Sequence, residues 1–407
     1  MDQHEMRASI EQIITQFMSE EKVVISNRDK DHLLTRIIDE SVGFGPLEPL
    51  LNDEEITEIL INGHGEVYIE KRGQLKMTKI KFRNEKHVRH IIDRVVAPLG
   101  RRIDESSPMV DARLLDGSRV NAVIPPISLN GTLVSIRKFK KDPYTMQNLI
   151  DFNSINNQMT EFLQGIVTAK MNVLISGGTG SGKTTLLNAL AKSIPNNERV
   201  ITVEDSAELR LDRPNVVGLE ARPPNTEGKG AITIRDLVRN ALRMRPDRIV
   251  VGEVRGAEAF DMLQAMNTGH EGSLTTVHAN SPLDAVRRLE GMIMMAGMEL
   301  PSSIIREYIV GALDYIVQIE RFQDGQRKMM SISEVVTDNK GGKVKLQEIF
   351  KFKRTGLELD GTVNGLFTPT GIKPNSLYRL KVFGQEMPDS MFQAKEEVNP
   401  DDSVSYI

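Results

Sequence analysis

A glycine-rich stretch at residues 177–185, GGTGSGKTT, has the residue types and spacing needed to hold phosphate. It follows the apolar run NVLIS, precedes the helical pattern LLNALAKSI, and matches the form GxxxxGK[ST]. Glycines let consecutive backbone N–H groups converge on phosphate oxygens, and the start of the following helix adds its positive dipole. We predict that Lys183 bridges the outer phosphates and that the Thr184 hydroxyl binds Mg²⁺. The predicted nucleotide-binding residues here are Gly178, Thr179, Gly180, Ser181, Gly182, Lys183, Thr184 and Thr185.

Acidic residues end two of the apolar runs that are typical of strands. Glu253 ends RIVVGE, and Glu204 and Asp205 end RVITVED. Because parallel strands end at the same edge of a sheet, we expect these carboxylates to lie beside the phosphates. One carboxylate, with Asp205 as the candidate, would hold Mg²⁺ through water, and a glutamate would orient or deprotonate the attacking water. For either run alone, ordinary surface charge at a strand end is the alternative.

Two of the seven histidines, His270 and His278, lie in the small and polar run GHEGSLTTVHANSP. They fall short of a metal coordination set, since the chain has no cysteine and only Glu271 lies nearby as an acidic partner. A general-base role is also disfavoured, because two glutamates already stand where water must be activated. The run SLTTVH is typical of a strand that ends at the nucleotide edge, which would bring His278 within reach of the γ-phosphate. His270 would then lie at the other end of that strand, and two purely structural histidines remain the alternative.

The elements that must position these residues follow from the hydrophobic pattern. Between about 155 and 310, helical patterns alternate with short apolar runs, which indicates the parallel sheet of an α/β domain. The runs are NVLIS, RVITV, RIVVG and SLTTVH. Beyond about 312, three more runs separated by Asp324-Gly325 and Gly341-Gly342 turns predict an antiparallel meander that completes a domain over 155–350. Residues 351–407 are rich in Gly, Pro and Asp, and we expect a tail that is loosely ordered.

A smaller α+β domain is predicted over residues 41–140. Two patterns are typical of hairpins, EVYIEKRGQLKM around Arg72-Gly73 and ARLLDGSRVNAVI around Asp116-Gly117, and GTLVSIRKF adds a strand. Apolar positions between 88 and 96 mark one helix face. Residues 1–40 predict a helical appendage, with a solvated helical arm as the alternative, and residues 141–154 are the linker candidate.

Composition narrows the classes of function. The 407 residues suit two domains with appendages, and the 39% hydrophobic and 27% charged content is typical of a soluble globular protein. No run approaches the roughly 18 apolar residues of a membrane span, and the amino terminus is too charged for a signal peptide, so we expect a cytoplasmic protein. A net charge of −4, the absence of tryptophan and 5% aromatics argue against a nucleic-acid partner.

Taken together, the motifs resemble the type II/type IV secretion ATPase superfamily, and within it the CpaF (tight-adherence pilus) branch. The resemblance covers about residues 40–335. It rests on GPLEPLLNDEEITEILING, GGTGSGKTT, ITVEDSAEL and LRMRPDRIVVGEVRGAEAFDMLQAMNTGHEGSLTTVHANSP. It implies a RecA-like P-loop NTPase motor domain that binds ATP and Mg²⁺ between itself and the amino-terminal domain. It also implies a homo-hexameric ring at the inner face of the cytoplasmic membrane, which works with a membrane platform protein to assemble a pilus or export protein.

The same resemblance implies roles for the residues already described. Residues 177–185 would be the Walker A loop, Glu204 and Asp205 the Asp box, and Glu253 the Walker B carboxylate. His270 and His278 would form the His box. A glutamate activates water in this family, and whether Glu204 or Glu253 does so here stays open.

Arginines are implied on both sides of the nucleotide, because guanidinium groups stabilise the charge that develops in phosphoryl transfer. Arg119 and Arg137 match family arginines that reach the phosphates from the amino-terminal domain, with Arg113 as a weaker match. Arg239 and Arg243 match positions that serve the nucleotide at the ring interface. With Arg235 they recur on one face of the predicted helix IRDLVRNALRM, for which a solvated basic face is the alternative.

The missing cysteines also bear on the branch. The pilus-extension and type II secretion branches usually carry a tetracysteine zinc module after the His box, and this chain has no cysteine. A CpaF-like or type IV secretion branch is therefore favoured. The retraction-motor branch also lacks the zinc module, so the wording of the motifs and the extra tail alone argue against it. Two other functions are compatible with the same core: a RecA-like nucleic-acid translocase or helicase, and a scaffold that binds nucleotide with little turnover.

Overall fold

In the computed structural model, the first 41 residues contain two helices, α1 (Gln3–Glu20) and α2 (Asn27–Ser41). Their sequences place apolar residues at helical spacing among charged ones. The chain divides into two units, residues 1–141 and 142–407. The structure describes residues 3–20, 26–71, 73–139, 143–224, 228–297, 300–337, 344–358, 361–394 and 404–406. Of the turns expected from the sequence, Arg72, Gly341 and Gly342 lie outside the described residues.

The first unit is built on one antiparallel sheet with the strand order β3-β2-β1-β6-β5-β4. Its strands are β1 (Ile56–Asn62), β2 (Glu66–Lys71), β3 (Gln74–Met77), β4 (Met109–Arg113), β5 (Arg119–Val123) and β6 (Leu133–Arg137). Its further helices are α3 (Glu48–Asn52) and α4 (Glu85–Val96). The apolar face of α4 packs on the sheet, and both hairpins expected from the sequence are present, so the α+β prediction is confirmed.

In the second unit, six strands run parallel in the order β12-β7-β11-β10-β8-β9. They are β7 (Val173–Gly177), β8 (Val200–Glu204), β9 (Val216–Glu220), β10 (Arg248–Val254), β11 (Leu274–His278) and β12 (Tyr315–Arg321). The helices are α5 (Met146–Asp151), α6 (Asn157–Thr168), α7 (Lys183–Ala191), α8 (Ile234–Ala241), α9 (Glu258–Asn267), α10 (Pro282–Met295) and α11 (Ser302–Ala312). The predicted parallel sheet is therefore confirmed.

Two apolar cores cover the two faces of this sheet. The first contains side chains of α6 and α7, and the second contains side chains of α8, α9, α10 and α11. Successive residues of one strand alternate between them, as in β7, where Val173 and Ile175 face the first core and Leu174 faces the second. Burial on both faces explains why these strands are almost continuously apolar.

The antiparallel strands extend the same sheet. They are β13 (Arg327–Thr337), β14 (Val344–Leu357), β15 (Val363–Pro369) and β16 (Val404–Tyr406). β12 pairs antiparallel with β13 and parallel with β7, so it joins the two parts. None of the described helices is long and apolar enough to cross a bilayer.

The expectation of a loosely ordered tail is wrong for residues 361–394. Strand β15 pairs with β14, a helix α12 (Leu377–Val382) follows, and Leu380 and Phe392 are buried in the first core. The buried carboxylate of Glu334 accepts hydrogen bonds from the backbone N–H groups of Asn375 (2.8 Å) and Ser376 (2.9 Å). Composition suggested disorder, but a few apolar side chains and one buried acceptor hold this segment against the sheet.

Candidate nucleotide-binding site

The glycine-rich loop connects β7 to α7, as the sequence predicts. Gly180 and Gly182 have φ angles of 69° and 98°, a region that favours glycine. A Cβ on Gly177 would lie 2.5 Å from Ser181 Oγ and 2.6 Å from the Ile319 carbonyl oxygen, so a side chain does not fit there. These residues are glycines because the loop must turn tightly against its neighbouring strand.

Lys183 begins α7 and folds back over the loop. Its Nζ donates hydrogen bonds to the carbonyl oxygens of Gly177 and Gly178, each at 3.0 Å. Ser181 Oγ also donates to the Gly178 carbonyl, at 2.8 Å. The ammonium group therefore lies inside the loop, at the start of a helix whose dipole favours anions.

Five of the parallel strands bring their carboxyl ends to one edge of the sheet. His278 of β11 is the register partner of Gly177 of β7, and Gly177 is in turn the partner of Ile319 of β12. On the other side, Val251 of β10 pairs with Val203 of β8, one residue before Glu204. The structure thus brings the loop, both predicted acidic strand ends and His278 to the same edge.

Glu204 is a buried acceptor at this edge. It is 4% exposed, and its Oε1 accepts hydrogen bonds from the backbone N–H groups of Glu208 (2.9 Å) and Leu209 (3.0 Å). Gly252 of the adjacent strand leaves room for it, since a Cβ there would lie 3.0 Å from Glu204 Cγ. These contacts give Glu204 a structural task in shaping the turn after β8.

Glu253 has a different environment, half-buried and open to solvent. Its Oε2 accepts hydrogen bonds from Arg255 Nη2 (2.7 Å) and Nε (3.1 Å). The hydrogen bonds that Arg255 donates to Glu253 raise the pKa of its guanidinium; burial opposes this shift, and the charges of Glu253, Asp205 and Glu208 support it. Glu253 Oε1 has no hydrogen-bond partner among the described residues, and a carboxylate oxygen of this kind can accept a proton from water or orient it.

The donors present near the loop suit Mg²⁺. The Thr184 hydroxyl lies in the first turn of α7 and makes no hydrogen bond to a described residue, and Asp205 is exposed directly after β8. Hydroxyl and carboxylate oxygens are the ligands that Mg²⁺ prefers, and it usually keeps several waters and phosphate oxygens as the rest. Within the described ranges, no three His, Asp or Glu side chains cluster as an all-protein metal site.

The two histidines lie at opposite edges of the sheet. His278 is the last residue of β11 and is half-buried beside the loop. His270 precedes the start of that strand, where its carbonyl oxygen accepts a hydrogen bond from Ser273 Oγ (2.8 Å). Its buried Nδ1 has no hydrogen-bond partner among the described residues. The separation agrees with the sequence analysis, and the structure does not bring the two histidines together.

The three arginines predicted on one helix face are not all on it. Arg235 and Arg239 lie on α8, but the helix ends at Ala241 and Arg243 follows it. The turn tightens there, because Arg243 N donates to the Asn240 carbonyl and Met244 N to the Ala241 carbonyl, both at 2.9 Å. Pro246 and the positive φ of 55° at Arg245 complete the break. The prediction that one helix face carries all three arginines is therefore wrong for Arg243, because the helix ends before it.

In the first unit, three arginines lie side by side across neighbouring strands. Arg119 of β5 is the register partner of both Arg113 of β4 and Arg137 of β6. Like charges directly opposite each other destabilise a sheet. A row of this kind is therefore typical of a surface that binds an anion, and it contains the two arginines predicted from the sequence together with Arg113.

Two contacts at the edge were not anticipated. Arg327, at the start of β13, donates from Nε to the Gly180 carbonyl at 2.9 Å and so braces the loop from the antiparallel part of the sheet. Asp261 of α9 accepts hydrogen bonds from both Arg235 and Arg239. Arg327 lies outside the motifs quoted above and Asp261 lies within one of them, but no signal in the sequence could have found these contacts, since each joins positions far apart in the chain.

Comparison with known proteins agrees with this geometry. The sequence model of a family described as Type II/IV secretion system protein matches residues 40–356. A putative conjugal transfer protein of Mycobacterium tuberculosis is 39% identical over 300 residues, covering 72% of this chain and 85% of that protein. The type IV secretion system protein PtlH of Bordetella pertussis is 35% identical over 313 residues, covering 70% of this chain and 92% of PtlH.

Among solved structures, the ATPase DotB of Legionella pneumophila has a TM-score of 0.51 and is 22% identical, covering 71% of this chain and 79% of DotB. This likeness concerns the fold. It confirms a RecA-like P-loop NTPase domain that follows a smaller α+β domain and a helical appendage. The chain belongs to the type II/IV secretion system protein family.

Proposed function

We propose that the protein is a homo-hexameric motor of the CpaF-like branch, which hydrolyses ATP to assemble a pilus or to export protein through a membrane platform. The observation that carries the proposal is the loop at residues 177–185, with Lys183 held over it and two glutamates ending strands at the same edge. Family membership extends this from nucleotide binding to a secretion or pilus motor.

In this proposal, the backbone of Gly178 to Thr185 binds the phosphates and Lys183 neutralises the outer ones. On binding, its Nζ exchanges the two loop carbonyls for phosphate oxygens, which are stronger acceptors. Thr184 would hold Mg²⁺ directly and Asp205 through water. The metal, when bound, neutralises charge on the phosphate oxygens.

We assign water activation to Glu253 and a supporting role to Glu204. Glu204 is 4% exposed and already accepts two backbone hydrogen bonds, whereas Glu253 reaches solvent. A general base must accept a proton from water that it touches. Arg255 donates two hydrogen bonds to Glu253 Oε2 and so orients the carboxylate until the water arrives. Glu253 would then accept the proton as the oxygen attacks the γ-phosphorus and the bond to ADP breaks.

The remaining predicted residues are four arginines and two histidines. We assign the arginines to stabilising the charge that develops on the transferred phosphate. Arg119 and Arg137 of the first unit would donate hydrogen bonds to the phosphate, and Arg239 and Arg243 would reach it from an adjacent subunit of the ring. His278 would respond to loss of the γ-phosphate beside Gly177, and His270 would report to a neighbouring subunit from the other edge.

The assignment to the CpaF-like branch rests on the wording of the motifs and on the absence of cysteine. The relatives named for conjugal transfer and type IV secretion support a membrane-associated machine. We therefore propose that the ring works at the inner face of the cytoplasmic membrane, held there by a platform protein, and that nucleic acid is not its substrate.

The test compares the purified full chain with its Glu253→Gln variant. Native mass spectrometry should give a hexamer for both. The wild type should hydrolyse ATP, and Glu253→Gln should bind a fluorescent ATP analogue with unchanged affinity while losing hydrolysis by about 10²-fold or more. Hydrolysis by Glu253→Gln at the wild-type rate would contradict the assignment of Glu253 as the general base.

A second measurement addresses the machine. Hydrolysis by the full chain is followed with liposomes that carry its membrane platform protein, with empty liposomes, and with single-stranded DNA. We expect stimulation by the platform alone. Stimulation by DNA that falls steeply with salt would contradict the motor assignment in favour of a translocase.

A further inference from the structure

The crossing of α8 and α9 contains a charge arrangement that the proposed chemistry leaves unused. Asp261 of α9 is 6% exposed. Its Oδ2 accepts a hydrogen bond from Arg235 Nε (2.6 Å), and its Oδ1 accepts one from Arg239 Nε (2.7 Å). One buried carboxylate therefore holds two guanidinium groups, one on each oxygen.

Both arginines are bound through Nε, so the outer forks of the guanidinium groups stay open. Among the described residues, their Nη atoms make no hydrogen bond. The Arg235 side chain is 27% exposed and that of Arg239 is 53% exposed, so the forks reach solvent. Paired Nη groups match two oxygens of a phosphate, which makes these forks suited to an anion.

The charge balance points the same way. Asp261 is the one acid among the described residues that hydrogen-bonds to the two arginines, although their charges also act on Asp236, and two arginines one turn apart on a helix repel each other. Asp236, the other acid near them, is committed to the start of α8, where it accepts hydrogen bonds from the backbone N–H (2.9 Å) and hydroxyl (2.7 Å) of Thr233. A simple fastening of α9 to α8 would need only one arginine.

The position of the pair indicates where such an anion lies. α8 and α9 pack against one face of the sheet, while α7 packs against the other. In the described part of the chain, no hydrogen bond or ion pair joins either arginine to the loop at residues 177–183. The open forks therefore remain available to an anion other than the one held by the loop of the same subunit.

We propose that Asp261 is a positioning residue that holds Arg235 and Arg239 as two phosphate-binding forks for the nucleotide of an adjacent subunit. The inference rests on the proposed function, since it takes Arg239 to act at the interface of the ring. It adds Arg235 as a second phosphate ligand and assigns Asp261 to orienting both. Because Asp261 already holds Nε of each arginine, each side chain has less conformational entropy left to lose when a phosphate binds, and binding is correspondingly more favourable.

The experiment uses the full-chain assembly and measures kcat and KM for ATP, the melting temperature and the oligomer mass. Three variants are compared: Asp261→Asn, the double variant Arg235→Gln/Arg239→Gln, and the triple variant that combines them. Glutamine keeps an N–H donor for Asp261, which protects the fold. The matched control is Glu290→Gln, because Glu290 of α10 is a similarly buried partner of a half-exposed arginine, Arg306 of α11, on the same face of the sheet.

We expect Asp261→Asn to lower kcat about tenfold, equivalent to about 1.4 kcal/mol, with KM changed by less than about twofold and an intact oligomer. The control should keep the wild-type kcat. Asp261→Asn should add no further loss to the double arginine variant, because Asp261 acts only through the arginines.

Two results would overturn this inference and leave the proposed function standing. One is a double arginine variant with a lowered kcat together with an Asp261→Asn variant whose kcat is that of the wild type. The other is a triple variant whose kcat is a further tenfold below that of the double arginine variant. A double arginine variant with the wild-type kcat would instead remove the proposed role of Arg239, and the inference with it. A loss of melting temperature in Asp261→Asn with unchanged kcat would show that the carboxylate only fastens the two helices.

Discussion

His278 is the register partner of Gly177 in the parallel pair formed by β11 and β7. The last residue of one strand therefore lies beside the residue at which the phosphate-binding loop begins. Backbone hydrogen bonds between paired strands fix this separation, so we expect a shift of the loop on loss of the γ-phosphate to change the position of His278.

The replacement of His278 by alanine tests this relationship. We expect His278→Ala to bind ATP with unchanged affinity and to lower steady-state hydrolysis about tenfold, because one polar group near the γ-phosphate is lost. Phosphate release measured with a phosphate-binding reporter gives the rate. The control is His90→Ala, an exposed histidine of the first unit, and equal rates in both variants would contradict a sensor role for His278.

Lys183 should be indispensable for binding as well as for hydrolysis. Lys183→Ala removes the ammonium group that lies over the loop, and hydrolysis should fall by about 10²-fold to 10³-fold as one electrostatic stabiliser is lost. Isothermal titration with an ATP analogue measures the loss of affinity. Lys192→Ala, at the exposed end of α7, should behave as wild type, and a similar loss there would mean that the helix itself is disturbed.

The two glutamates should separate into a catalytic and a structural residue. Glu204→Gln should destabilise the second unit by about 1–3 kcal/mol, since the substitution disturbs a buried acceptor of two backbone N–H groups. Glu253→Gln should leave the melting temperature unchanged and abolish turnover. Melting curves and single-turnover hydrolysis distinguish them, and the reverse pattern would transfer the base to Glu204.

We expect the stability of the first unit to depend on pH through the carboxyl group of Glu85. Burial raises the pKa of this carboxyl, but hydrogen bonds from the Thr132 backbone and from the His64 side chain and backbone outweigh it and lower the pKa. Its stabilising effect is therefore present above the ordinary carboxyl pKa and is lost as the pH falls through the lowered value.

Glu85→Gln should therefore be less stable than wild type at neutral pH by about 1 kcal/mol, a modest figure because the side chain is 40% exposed. The difference should shrink toward about pH 3. Hydrogen exchange of β1 and β6 in the full chain, corrected for the intrinsic rate at each pH, measures it. A difference that stays constant with pH would show that ionised Glu85 is not responsible.

The segment after β15 should be part of the folded motor unit. Phe392 is 1% exposed, with ring centroids of Phe162 and Phe350 at 5.7 Å and 5.9 Å. Phe392→Ala should cost about 3–5 kcal/mol of the free energy of unfolding, measured by urea denaturation. The exposed Tyr378 provides the control, since Tyr378→Ala should change stability by less than about 0.5 kcal/mol. Equal effects would place the segment outside the core.

Much of the fold and of the nucleotide edge could be predicted from the sequence, because the signals are local. Short apolar runs between helical patterns predict parallel strands, and a glycine-rich turn with Lys183 predicts the phosphate loop. The carboxyl ends of parallel strands must share an edge, so Glu204, Glu253 and His278 could be placed near that loop without coordinates. Each of these inferences uses a period or a spacing within a few residues of the chain.

What only the tertiary structure decided depends on contacts between distant residues. The carboxylate of Asp261 accepts hydrogen bonds from two arginines of another helix. Glu204 is buried and accepts hydrogen bonds from the turn that follows it, whereas Glu253 reaches solvent. Phe392 packs into a core built mostly by other segments. Arg243 leaves its expected face because a tightened turn and Pro246 end the helix early. Sequence patterns report backbone periodicity and local turns, whereas the partner of a buried charge or ring is selected by packing across the whole unit.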